Sequence, residues 1–115
     1  MENVVIKRVY EPSDVTDGFR ILVDRLWPRG MKKEDAGIDL SMKAVAPTDA
    51  LRKWYHNEGG GWDEFRHKYL FELKDNPAVD ELQLLITEHK KVTLLYAAKD
   101  EVQNHALVLK EFLGM

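Results

Sequence analysis

KVTLLYAA, residues 91–98, decides the fold. Its centre, Val92 to Tyr96, is built from β-branched, aliphatic and aromatic residues, the types that suit a pleated backbone. A second run, RILVDRLW (20–27), opens with the apolar triplet Ile21-Leu22-Val23. Continuous apolar runs of this kind suit strands covered on both faces, as in parallel sheets. Cover on both faces means helices on both faces. The predicted architecture is therefore α/β: a compact layered domain with a small, mainly parallel sheet flanked by helices.

The rest of the chain is consistent with that plan. VVIKRVY (4–10) reads as another strand, and EPSDVTDG (11–18) is full of turn formers and reads as a loop. That link is short for a crossover, which leaves the first two strands antiparallel or non-adjacent. MKKEDAG (31–37) predicts one helical turn ended by Gly37. IDLSMKAV (38–45) alternates Ile38, Leu40 and Met42 with polar residues and predicts a short strand.

Beyond Pro47 the period becomes helical. Thr48 suits an N-cap for a helix with Leu51, Trp54 and Tyr55 on one side, broken at Gly59-Gly60-Gly61. A helix over 62–74 carries the stripe Trp62, Phe65, Tyr69 and Leu73, which reads as packing. Asn76-Pro77 reads as the cap and first position of a helix over 77–90, with Val79, Leu82 and Ile86 inward. After Lys99-Asp100, a last helix should place Val102, Ala106, Leu109 and Leu113 on one face. Asp100 and Gln103 have the spacing of a capping box.

The chain's 115 residues, 44% of them hydrophobic, fit one domain over 1–115 with a real core. There is no cysteine, which removes disulfides, thiolate nucleophiles and Cys-bound metals, and fits a reducing compartment. No signal peptide is visible, and the apolar runs are far too short to span a membrane. A cytoplasmic setting is expected. A net charge of −3 weighs against general nucleic-acid binding.

Ligands of open α/β sheets gather beyond the carboxyl ends of the strands. Two segments should arrive there: DRLWPRG (24–30) and AAKDEVQNH (97–105). The second feeds a helix N-terminus, whose free N–H groups attract anions. Arg25, Arg29 and Lys99 are candidates for holding phosphate or carboxylate, guanidinium groups matching either with two parallel bonds. Asp24 is placed to orient an arginine, Asn104 to complete the cradle, and Arg52 is a further candidate for the same cleft. His105 is the candidate general acid or base. Each has a plainer reading. Arg25 can pair with Asp24, Arg29 can be a solvated turn residue, Lys99 and Asp100 ordinary turn and cap residues, and His105 a packing histidine. Trp27 reads as core or cleft wall, not as a stacking platform.

Other constellations are missing. There is no glycine-rich phosphate loop after a strand, so no nucleotide cofactor, or any other, is expected. His56, His67, His89 and His105 lack metal-motif spacing, and Ser13 and Ser41 sit in no nucleophile elbow.

DGFRILVDRLWPRG, APTDALRKWYHN, WDEFRHKYLFEL and TLLYAAKDEVQNHALVLKEFL together resemble the YeaO-like branch of the DUF488 family over nearly the whole chain. The resemblance implies a compact α/β domain in a bacterial or archaeal cytoplasm and supplies no function. It also implies that the characteristic residues are Asp24, Arg25, Trp27, Pro28, Arg29 and Gly30 on one segment and Lys99, Asp100, Asn104 and His105 on the other. The wider family resembles a Cys-His-Arg pattern where this chain has Asn104-His105-Ala106, so any shared chemistry would rest on His105. The chain departs from the branch at Ser41, where tryptophan is common, and at NEGGG (57–61), where a His-Asp-Pro-like turn is usual. Those departures weaken any role carried over to 38–61.

Three readings stand at this level. One is a small anionic ligand in a cationic pocket, with hydrolysis or transfer as the broadest reaction class. Another is a non-catalytic interaction module. A nucleic-acid binder survives only if the arginines line an extended stripe. The sequence leaves open whether there is catalysis at all, and the oligomeric state.

Overall fold

The computed structural model of the protein describes residues 3–114. Among these, four strands form one sheet: β1 (Val4–Arg8), β2 (Phe19–Leu22), β3 (Leu40–Ser41) and β4 (Val92–Tyr96). Their order is β1-β4-β2-β3 and every pairing is parallel. The first two strands are thus non-adjacent: β4 lies between them, setting Val92 beside both Val4 and Phe19, and Leu94 beside both Ile6 and Ile21. All of β4 is buried, which is why its run is continuously apolar but for Thr93. That hydroxyl is satisfied by donating to the Asp17 carbonyl at 2.6 Å.

Five helices complete the described chain: α1 (Lys33–Ala36), α2 (Asp49–Asn57), α3 (Trp62–Lys74), α4 (Ala78–Glu88) and α5 (His105–Phe112). The main core joins Val92, Leu94 and Tyr96 of β4, and Ile21 and Val23, to Leu51 of α2, to Phe65, Tyr69 and Leu73 of α3, to Val79, Leu82 and Ile86 of α4, and to Ala106 and Leu109 of α5. Residues of alternate parity face the other way. There Leu22 and Leu95 meet Val9 in a small cluster with Met31, Ile38 and Ala97 against it.

Helices were expected on both faces. Among the described residues, the second face has only the four-residue α1 and the loops around it. Arg20 explains how so little structure covers it. Its side chain is buried; Nε donates to the Gly37 carbonyl at 2.8 Å, a terminal nitrogen reaches the Ala36 carbonyl at 3.2 Å, and another pairs with Asp17. Lys7 also reaches Asp17, at 3.0 Å. Burial opposes the charge on Asp17. The Lys7 ammonium, the Asp14 N–H and the Arg20 guanidinium outweigh it and hold the carboxyl below the ordinary carboxylate range. Gly18 makes the approach of this loop to the sheet possible: its φ is +67°, and a Cβ there would lie 2.3 Å from the Lys91 carbonyl oxygen.

Several boundaries differ from expectation. β2 leaves the ladder after Leu22, although Val23 N still donates to Leu95 O at 3.0 Å. Only Leu40–Ser41 of the 38–45 segment is strand; Lys43–Val45 is a 3₁₀ turn. The last helix starts at His105. Asp100 caps only a local turn, its Oδ1 accepting from Val102 N and Gln103 N, and Val102 is 72% exposed instead of facing inward. Asn104 is the true cap.

Candidate functional site

Because β2 and β4 run parallel, the segments that leave them emerge at the same end of the sheet. They meet the loop before α2 around a cavity of about 390 Å³, within the size range of small-molecule pockets. Asp24, Arg25 and Arg29 line it from the β2 side, and Lys99, Asn104 and His105 from the β4 side. Arg52 joins them from α2. All seven residues singled out from the sequence share this one cavity.

Asp24 ties the two segments together. Its Oδ2 accepts from Ala97 N at 3.0 Å, and its Oδ1 lies 3.0 Å from Nε2 of His105. The same Nε2 is 3.0 Å from the Val23 carbonyl oxygen. A carbonyl can only accept, so Nε2 carries a proton and donates to Val23. That proton points away from Asp24. Oδ1 therefore has the imidazole as an electrostatic neighbour but no aligned donor, and it is buried and unsatisfied. Asp24 bonds no arginine, contrary to the reading that it would orient or pair with one. Arg25 turns instead to Pro47, Nε donating to the carbonyl at 3.0 Å.

Arg52 pairs with Asp49 at 2.7 Å in the first turn of α2, yet its Nε is buried without a partner. Among the described residues, Asp24 Oδ1 and Arg52 Nε are the two buried side-chain polar atoms left unsatisfied. Both belong to residues of the same cavity. Buried groups of this kind are rare and call for an explanation. Arg29 and Lys99 are exposed, and among the described residues no carboxylate pairs with either. Asn104 is buried and committed within the protein: Oδ1 accepts from Leu107 N at 2.9 Å and Nδ2 donates to Asp100 O at 3.1 Å.

Further wall residues escaped sequence reading. His56, at the end of α2, lines the cavity. Burial, then the charges of Arg52 and His105, hold its pKa below the ordinary histidine value. Its position four residues after Arg52 was the available signal, since i and i+4 share a helix face. Tyr10 lines the mouth from beyond β1 and donates its hydroxyl to the Arg29 carbonyl at 2.9 Å. Trp27 is a wall residue, 45% exposed, with Nε1 donating to the Met31 carbonyl at 2.6 Å. The metal reading gains no support from grouping: among the described residues no three His, Asp or Glu cluster in a way that could hold an ion. Among the described residues, no helix is long and apolar enough to cross a membrane.

The family described as the inactive DUF488-N3 subclade matches residues 3–115. The uncharacterized protein YeaO of Escherichia coli K12 is 46% identical over 111 residues, covering 96% of each chain. The uncharacterized protein Rv3073c of Mycobacterium tuberculosis H37Rv is 43% identical over 111 residues, covering 96% of this chain and 93% of its own. No solved structure matches. A match of this extent, together with relatives this similar along their whole length, means that the chain belongs to the DUF488 family.

Proposed function

We propose that the protein binds a small anion, phosphate or carboxylate, in the cavity at the carboxyl ends of β2 and β4. The observation that carries this reading is the convergence of Arg25, Arg29 and Lys99 on one cavity, with no carboxylate paired to any of them among the described residues. Such a site attracts an anion, and the half-buried Arg25 is the cation whose charge counts for more there than it would in water. The N-terminus of α5, capped by Asn104, adds its dipole at the same end. The description of the matching family as inactive, and the absence of any thiol, favour binding over turnover.

One observation favours a second reading, a hydrolase or transferase. His105 has Nε2 donating to the Val23 carbonyl beside Asp24, and its Nδ1 has no protein partner among the described residues. An imidazole held in this way can accept a proton at Nδ1.

Thermal unfolding in the presence of phosphate, sulfate and small carboxylates tests the first reading. A bound anion at a hundredfold its dissociation constant stabilises by about 2.7 kcal/mol. Arg29→Ala should abolish the shift while circular dichroism shows the fold intact. Indifference to every anion overturns the proposal. Turnover lost in His105→Ala would favour the enzyme, and an interaction module would be insensitive to both substitutions.

A further inference from the structure

The cavity is much larger than a bare anion needs, and its mouth is aromatic. Resting on the anion-binding reading, we infer that the ligand is a phosphomonoester carrying a flat ring, of the nucleoside monophosphate class. The phosphate would meet Arg25, Arg29 and Lys99, and the ring would lie against Trp27 or Tyr10.

Charge selects the head group. Three cationic side chains and the one carboxylate of Asp24 line the cavity, while Arg52 has Asp49 as its partner. The positive excess suits a phosphomonoester, which carries about −1.5 to −2 at neutral pH. A single carboxylate would leave much of it unmatched. Size selects the rest of the ligand. A volume of about 390 Å³ holds a molecule of roughly drug-like dimensions, and inorganic phosphate would leave most of it to water.

The rim selects a ring. Tyr10 and Trp27 are 40% and 45% exposed, a costly state for such large apolar groups. Both are held there by their polar handles. The Tyr10 hydroxyl bonds the Arg29 carbonyl and the Trp27 indole bonds the Met31 carbonyl, so both rings are fixed to the turn that carries Arg29. The Arg8 guanidinium lies over the Tyr10 ring, 5.3 Å from its centroid, and is itself fastened by Nε to the Ala98 carbonyl at 2.8 Å. Rings pinned in this way lose little freedom when a base stacks on them. This assignment revises the expectation for Trp27, whose exposure was not visible in the sequence.

Isothermal titration with AMP, GMP, CMP and UMP, against ribose 5-phosphate and inorganic phosphate, tests the inference. Stacking on an aromatic side chain is worth about 1–3 kcal/mol, so at least one nucleotide should bind about fivefold or more tighter than ribose 5-phosphate. Trp27→Leu or Tyr10→Leu should erase that margin, so that nucleotides and ribose 5-phosphate bind the variant equally, while circular dichroism shows the variant folded. Equal affinity for nucleotides and ribose 5-phosphate would overturn the ring assignment and leave the anion reading standing. No binding of any phosphate would remove both. A 5′-phosphorylated tetranucleotide binding more tightly than every mononucleotide would overturn the assignment of a free small molecule.

Discussion

Oδ1 of Asp24 and Nε2 of His105 lie 3.0 Å apart, and the same nitrogen is 3.0 Å from the Val23 carbonyl oxygen. One ring nitrogen is thus held between two acceptors from the end of β2. The neutral imidazole should carry its proton on Nε2, and ¹⁵N shifts of His105 measure this directly; a proton on Nδ1 would contradict it. Asp24→Ala should also destabilise the fold by about 1–3 kcal/mol in urea titrations, because Ala97 N then loses its acceptor.

Asn104 should matter to stability through its cap. Asn104→Ala removes the acceptor for Leu107 N and should cost about 1 kcal/mol. Asn104→Ser, which restores a capping oxygen, should recover most of the loss. Equal loss in both variants would show that the bond to Asp100 O, and not the cap, holds the segment.

Acid stability should depend on Asp17. Its carboxyl titrates below the ordinary aspartate value in the folded protein. The unfolded chain therefore binds the proton first. The contribution of Asp17 is complete above about pH 5 and is lost progressively as pH falls past the ordinary aspartate value and through the lower folded one. Melting temperatures between pH 2 and 6 should show this decline in the wild type. Asp17→Asn should be less stable at neutral pH and decline less steeply on the acid side.

Anion affinity should rise as pH falls below the ordinary histidine range. Burial first, then the charges of Arg52 on α2 and His105 on α5, keep the His56 pKa below 6.5. A bound dianion offsets that repulsion, so binding takes up a proton at His56. Sulfate is the right probe, since it does not titrate there. Its affinity should climb from pH 7.5 to 5.5, and His56→Gln should flatten the climb; an unchanged slope in the variant would show that His56 does not sense the ligand.

The parts legible in the sequence were those set by local pattern. α3 spans the residues its stripe of Trp62, Phe65, Tyr69 and Leu73 predicts, and α2 begins after Thr48, whose hydroxyl accepts from Leu51 N at 3.2 Å. The parallel, buried character of β4 followed from its apolar content. The less legible parts were competitions or distant contacts. Asp100 and Asn104 are both able to cap, and only packing decides that α5 starts at the second. Arg20 reads as a surface residue until Asp17 and the carbonyls of Ala36 and Gly37 enclose it. For the site, the two segments could be named because parallel strands deliver their ends together. That Asp24 would face His105 and not an arginine depends on rotamers that no spacing encodes.

The position of β4 has a consequence for how the chain is made. β4, one of the two inner strands, is the last of the four to leave the ribosome, and β1 and β2 pair not with each other but each with it. A nascent chain halted before Val92 would present two unfilled strand edges and the bare inner sides of three helices, features that promote aggregation. Asp24 also gains Ala97 only then. Translation therefore delivers the finished sheet and its cavity in a single late event, and truncated products should fall to proteases or chaperones instead of persisting as partly competent binders.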